Sequence, residues 1–227
     1  MGKALFCWSG GKDSAAALYD VQQSKQYEIA ALLVTVNEDY DRVSMHGVRR
    51  TLIEQQALSI GLPIEEVSVP TSSSNEEYES RMRQTLTRLQ QGGVVAAIFG
   101  DIFLEEVRKY REENLARIGM KAVFPLWGKD AKGLFRSFLA LGFKAIITCV
   151  DAKVLDKKFI GRTLDDDFLA ELPPGVDPCG ENGEFHSFVY DGPIFNKPVE
   201  FTLGDVVLRD SFYYGDLVPK VNKTGGK

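Results

Sequence analysis

The sequence predicts an α/β fold built on a parallel sheet, followed by a smaller α+β unit. Three observations carry this reading. Short, almost wholly apolar runs alternate with segments of helical periodicity through residue 126, the rhythm of βαβ units. The runs at 28–36 and 94–99 are apolar at nearly every position, as in strands covered on both faces. A glycine pair, Gly10-Gly11, stands between the first run and the first helix, where the backbone has to turn sharply.

Taken in order, residues 4–8 (Ala-Leu-Phe-Cys-Trp) form the first strand. Asp13 and Ser14 favour a helix start, and the alanines at 15–17 propagate the helix. The second strand, 28–36, is broken by the polar run 37–41. Val48, Leu52, Ile53, Ala57 and Ile60 then recur at helical spacing, and Gly61 stops them. Residues 63–69 read as a third strand, and Tyr78, Met82, Leu86 and Leu89 make the apolar stripe of a helix over 75–91. The fourth strand, 94–99, runs into Gly100-Asp101. A helix over about 103–118 sets Val107, Tyr110, Leu115 and Ile118 on one face, and 122–126 is a short fifth strand closed by Pro125. The crossovers are expected to be right-handed.

After Trp127 the rhythm loosens. One helix (Leu134, Phe135, Phe138, Leu139, Leu141) precedes a strand at 144–150. The remainder is loop-rich until two closing strands, 185–190 and 199–209. This change divides the chain into residues 1–128 and 129–227. Residues 221–227 are expected to form a frayed tail.

At 227 residues and 44% hydrophobic content the chain supports a substantial core. No apolar run approaches a membrane span, and no signal-peptide apolar region opens the sequence, so the expectation is a cytoplasmic protein without membrane contact. Cys7, Cys149 and Cys179 are scattered and form no CxxC pair. The net charge of −5 argues against a phosphate-backbone binder, so no nucleic acid is expected as partner. A homodimer is left open.

Chemistry enters at Ser9-Gly10-Gly11-Lys12-Asp13-Ser14. A helix N-terminus presents unpaired N–H groups and a partial positive charge, a ready phosphate site. Lys12 adds a full charge, and Ser9 and Ser14 add hydroxyls. The spacing is neither that of a Walker loop nor that of a dinucleotide fingerprint. The S-G-G-x-D-S pattern resembles the PP-loop of the N-type ATP pyrophosphatases, in which the loop holds the β and γ phosphates and ATP is split to AMP and pyrophosphate. Ligands of open parallel sheets bind beyond the carboxyl ends of the strands. That rule adds Gly100 and Asp101, the latter either a Mg²⁺ ligand or a helix cap. It also adds His46, which either contacts substrate or phosphate or caps a helix.

A second cluster is Cys179-Gly-Glu-Asn-Gly-Glu-Phe-His-Ser187. Glu181, Glu184 and His186 at a strand mouth can bind a cation, orient an amine, or exchange protons near neutral pH. Its bland alternative is a solvated polar turn. Glu181-Asn-Gly-Glu-Phe-His-Ser187 is similar to the E-G-G-E-[FY]-[HE]-T signature of the diphthine–ammonia ligase family, and Pro125-Leu126-Trp127 to its P-L-W. The resemblance covers nearly the whole chain; Asn182 stands for a glycine and Ser187 for a threonine.

This resemblance implies a HUP-type (adenine nucleotide alpha-hydrolase-like) sheet, with the third, second, first, fourth and fifth strands side by side in that order. It implies ATP and Mg²⁺, ammonium, and an acceptor carboxylate on elongation factor 2. A carboxylate would be adenylated and then amidated, releasing AMP and pyrophosphate. Ser9, Gly10, Gly11, Lys12 and Ser14 would hold the pyrophosphate. Asp13 would shape the loop or, with Asp101, hold Mg²⁺. The backbone of Val34, Thr35 and Val36 would read the adenine edge. Glu181, Glu184 and His186 would face the acyl-adenylate. The competing readings are a PP-loop pyrophosphatase with another acceptor and a non-catalytic ATP-sensing module. An RNA-thiolating enzyme would need a reactive cysteine pair and a basic surface, neither of which the sequence carries.

Overall fold

The computed structural model describes residues 1–44 and 46–220, so the tail expected at 221–227 lies outside the described residues. The first unit runs β1 (Gly2–Cys7), α1 (Lys12–Ser24), β2 (Tyr27–Asn37), β3 (Arg42–Val43), α2 (Arg50–Ile60), β4 (Ile64–Val69), α3 (Asn75–Gln91), β5 (Val94–Ile98), α4 (Glu105–Ala116) and β6 (Lys121–Val123). β4, β2, β1, β5 and β6 pair in parallel in that order, which is the expected order of the five strands. The two-residue β3, not anticipated from sequence, lies antiparallel along the end of β2.

Strand alternation sorts the side chains onto two faces. Ala4, Phe6, Leu32, Val34 and Val36 pack with Leu18 of α1 and Leu52 and Ile53 of α2. Leu5, Ala31 and Leu33 pack with Leu86 of α3 and Leu115 of α4. The sheet is therefore covered on both sides, which is why its strands are apolar throughout.

The second unit contains α5 (Ala131–Ala140), β7 (Lys144–Asp151), α6 (Asp166–Glu171), β8 (Phe185–Asp191), β9 (Phe201–Arg209) and β10 (Phe212–Pro219). Its sheet is antiparallel in the order β8-β7-β10-β9. Ile147, Phe188 and Leu217 of this sheet belong to the same core that α1 and α2 build on the first sheet.

Several boundaries differ from the sequence expectation. The fifth parallel strand stops at Val123 rather than 126, because Phe124 leaves the ladder to stack on Phe99 and Pro125 lacks an N–H. Helix α4 starts at Glu105, not 103, since the amides of Ile102 and Phe103 donate to the Glu181 carboxylate. Helix α1 starts at Lys12, one residue before Asp13, and the Ser14 hydroxyl donates back to the Gly11 carbonyl at 2.9 Å. The last strand, β10, was not anticipated: Gly215 and Asp216 interrupt its apolar pattern. Asp216 is held by Arg42 and Arg49 at 2.9 and 2.6 Å, which ties β10 to the segment before α2.

One buried side chain joins the two sheets at the site. Gln56 of α2 accepts from Trp8 Nε1 at 2.8 Å and donates to the carbonyls of Gly10 (3.0 Å) and Val189 (2.6 Å). Gly10 has φ of +81°, and a Cβ there would meet Ile53 and the Gln56 amide at under 3.0 Å, so only glycine fits. We predict that Gln56→Leu, which strands the buried Trp8 N–H, lowers stability by about 1–3 kcal/mol. A denaturant midpoint equal to wild type would contradict this.

Candidate active site

A cleft of about 810 Å³ opens at the carboxyl ends of β1, β2 and β5 and is roofed by the loop 179–187 from the second sheet. Its floor is the turn from β1 into α1. The helix N-cap is Gly11, which has no side chain to cap with, so the amides of the first turn look to other partners. Gly11 N donates to Ser9 Oγ at 3.2 Å, and Lys12 N donates to Ser187 Oγ at 3.2 Å. The Ser9 and Ser14 hydroxyls lie 3.1 Å apart. A Cβ on Gly11 would sit 3.1 Å from His46 Nε2 and 3.2 Å from the Ser187 carbonyl. One on Gly100 would sit 2.9 Å from the Asp13 backbone. Both glycines are thus required for close approach rather than for a turn.

Lys12, expected to add a full charge to this loop, is only 3% exposed. Its ammonium donates to both Asp13 oxygens, at 2.6 and 2.7 Å, and to the Cys179 carbonyl. Burial alone would lower its pKa; Asp13 and the Cys179 side outweigh burial, and the net shift is upward. Asp13 is raised by the same burial, against the pull of Lys12.

Asp101 is not a helix cap, since Leu104 occupies that position before α4. It pairs with Arg111, with contacts of 2.9 and 3.1 Å, and burial raises its pKa in spite of that partner. Glu181 lines the cleft while one oxygen accepts from Ile102 N at 2.8 Å. Burial pushes its pKa up to about 7; the two backbone amides oppose this, and Asp13 and Asp101 add to it.

The His46 and His186 rings lie against each other, tilted by 37° with centroids 4.5 Å apart, and both line the cleft. Burial depresses both. His186 falls to about 4, with Lys12 assisting, and His46 falls well below its ordinary range, with His186 assisting. The expected proton exchange near neutral pH is therefore corrected for His186: the imidazole is neutral across that range. Nor does His46 cap a helix, as it sits in the turn between β3 and α2.

Two further expectations are corrected. Glu184 is buried outside the cleft lining, where it accepts from Asp177 N and Asn182 Nδ2, both at 3.0 Å, and so braces the loop. Of Val34, Thr35 and Val36, only Thr35 faces the cleft. Val34 and Val36 point into the core by strand alternation, and all three pair with β4. The Thr35 carbonyl is also taken by Ser44 N at 3.2 Å. Sequence reasoning missed Gln56, a polar residue on a helix whose apolar stripe drew attention elsewhere; the stretch from Arg108 to Glu112 shares the family resemblance, but no role for Arg111 was read from it.

Residues 2–122 match the family described as diphthamide synthase N-terminal domain, and residues 130–213 the diphthamide synthase C-terminal domain. The chain belongs to the diphthamide synthase family. It is similar to the diphthine–ammonia ligase of Schizosaccharomyces pombe, at 29% identity over 92% of this chain and 38% of that protein. It is also similar to the diphthine–ammonia ligase of Homo sapiens, at 27% identity over 89% of this chain and 84% of that one. Among solved structures, the U34-tRNA thiolase NcsA of Methanococcus maripaludis overlaps it at 17% identity, with a TM-score of 0.39 over 62% of this chain and 58% of that one. No helix among the described residues is long and apolar enough to cross a membrane.

Two predictions follow from this geometry. Glu184→Gln keeps an acceptor for Asp177 N–H and leaves turnover within a few-fold of wild type. Glu184→Ala removes that acceptor and lowers stability by about 1–3 kcal/mol. Turnover assays and melts on the two variants separate a brace from a reacting group.

Glu181, raised in the folded state, contributes stability that is lost as pH rises from about 4.5 to about 7. His186, depressed in the folded state, contributes stability that is lost as pH falls from 6.5 through about 4. Glu181→Gln removes only the first effect. Its melting temperature minus that of wild type should therefore grow by a few degrees from pH 5 to pH 8, and a difference independent of pH would contradict the buried-carboxyl reading.

Proposed function

We propose that this chain is an ATP-dependent carbon–nitrogen ligase of the diphthine–ammonia ligase type. It joins ammonia to a carboxylate of a diphthine-like acceptor on elongation factor 2, with release of AMP and pyrophosphate. The observation that carries the proposal is the meeting, in one cleft, of the capless α1 N-terminus with Lys12 and the loop bearing Glu181. The relatives' names supply the reaction class. The proposed division of labour follows the chain: residues 1–128 bind the nucleotide, and residues 129–227 present the acceptor.

The residues present fit a nucleotide. The cleft volume lies in the range of small-molecule sites, and Gly11 and Gly100 leave close approaches that a Cβ would fill. They also fit Mg²⁺ of the kind that is held by one or two carboxylates together with phosphates and water. Asp101 and Asp13 are the candidates, and no group of three or more His, Cys, Asp and Glu among the described residues forms a protein-only cage. Mg²⁺ bound there would neutralise charge on the phosphates.

In the proposed sequence, a carboxylate oxygen of the acceptor attacks the α-phosphorus, and the bond to the bridging oxygen of the β-phosphate breaks. Ser9, Ser14, Lys12 and the first-turn amides take the charge that develops on pyrophosphate, since preorganised donors act on the charge as it forms. Ammonia then attacks the acyl carbon, a C–N bond forms, and the C–O bond to AMP breaks. The proton that nitrogen loses passes to Glu181, whose pKa of about 7 suits it to accept near neutral pH. His46 and His186, both neutral, donate or accept hydrogen bonds without adding charge.

The three cysteines argue against sulfur transfer: burial pushes the Cys7, Cys149 and Cys179 thiols up to about 12, so none supplies a thiolate.

Turnover with labelled ATP, ammonium and a diphthine-bearing acceptor should yield AMP and pyrophosphate. Lys12→Ala and Glu181→Gln should each lower the rate by roughly 10²-fold or more. ADP and phosphate as products would overturn the proposal.

A further inference from the structure

We propose that Arg111 is a second cationic ligand for the nucleotide phosphates, parked on Asp101 until a phosphate replaces that carboxylate. The proposal rests on the ATP-dependent reading above and adds to it a residue that neither the phosphate loop nor the late motif contains.

Arg111 lies on α4, and its side chain lines the cleft. It also borders a smaller, mainly apolar cavity of about 130 Å³ between the sheet and helices α3 and α4. Its guanidinium lies over the Phe99 ring, 4.3 Å from the centroid. Stacking fixes the plane of an arginine while leaving its N–H edge free to change partners. Along that edge the current partner is Asp101, with Nη2 at 3.1 Å from Oδ1 and Nε at 2.9 Å from Oδ2.

The pairing is incomplete. The shorter contact is poorly aligned, so that both Nε and Oδ2 are buried without a hydrogen-bond partner. A brace that served only structure would be expected to close as a parallel two-bond fork, the strong form of this pair.

An arriving phosphate offers Arg111 oxygens carrying more charge than one carboxylate. The carboxylate it leaves is then free for the cation that accompanies the nucleotide. Lys12 cannot make the same exchange cheaply: Asp13 is its sequence neighbour, and both carboxylate oxygens already hold its ammonium. The two cations therefore divide the work, Lys12 as a fixed charge and Arg111 as an exchangeable one.

The test is calorimetric binding of ATP, with adenosine as control, in EDTA so that no metal competes for Asp101. Arg111→Gln should weaken ATP roughly 10-fold or more, the scale of a hydrogen bond to a charged group, and leave adenosine within about 2-fold. Arg111→Lys should recover part of the loss. Asp101→Asn should tighten ATP by roughly 3-fold or more, since it releases Arg111 in advance, and that gain should vanish in the Arg111→Gln background. If Arg111→Gln and Asp101→Asn both weaken ATP alike, the pair is a brace and the proposal falls. A gain from Asp101→Asn that persists without Arg111 would also overturn it, as a general charge effect. A wild-type protein that binds no ATP in EDTA or with Mg²⁺ would remove the ligase reading and this inference together. Wild-type binding combined with either of the two contrary patterns removes only the inference.

Discussion

The site depends on one buried cation. Lys12 is enclosed between the Asp13 carboxylate and the Cys179 carbonyl, and an ammonium out of water is costly unless its donors are met. Asp13 comes from the same turn of α1, whereas Cys179 comes from the far end of the chain. The hydrogen bond to Cys179 therefore ties the loop roofing the cleft to the loop flooring it. Ser187 adds a parallel tie by accepting from Lys12 N, and Gln56 a third by bridging Gly10 and Val189. The two sheets are joined where the chemistry is proposed to happen, and the positive charge at the joint is held near the place where pyrophosphate would leave.

Around that joint the charges are graded by environment. Four carboxylates lie near one another: Asp13, Asp101, Asp177 and Glu181, as their mutual effects on pKa record. Two are matched to cations, Asp13 to Lys12 and Asp101 to Arg111. Glu181 has only backbone amides, and burial leaves it able to titrate near neutrality. The two imidazoles, packed together beside Lys12, are held neutral. One cleft thus offers a buried cation, a second cation paired to a carboxylate, a titratable carboxyl and neutral donors, a set compatible with the proposed adenylation and amine attack.

Much of this was legible in the chain. The parallel strands announced themselves because both of their faces are buried, and the turn between the first strand and the first helix because a glycine pair stands there. What was not legible came from contacts between distant segments. Glu184 looked as reactive as Glu181 because the two share a motif; only the fold turns one toward the cleft and the other toward Asp177 N. The backbone of Val34, Thr35 and Val36 looked available until β4 paired along all three and Ser44 N took the Thr35 carbonyl. Gln56 breaks no helical pattern, so nothing local marked it, and nothing local gave Arg111 a partner. Strand β10 was hidden by Asp216, whose partners Arg42 and Arg49 lie more than 160 residues earlier.

The central claim is that the acceptor's own carboxylate oxygen attacks the α-phosphorus of ATP. It is tested most directly by labelling that carboxylate with ¹⁸O and running the reaction with ammonium to completion. The account predicts one ¹⁸O atom in the phosphate of the AMP released and none in pyrophosphate. AMP free of label, or label in pyrophosphate or inorganic phosphate, would contradict it.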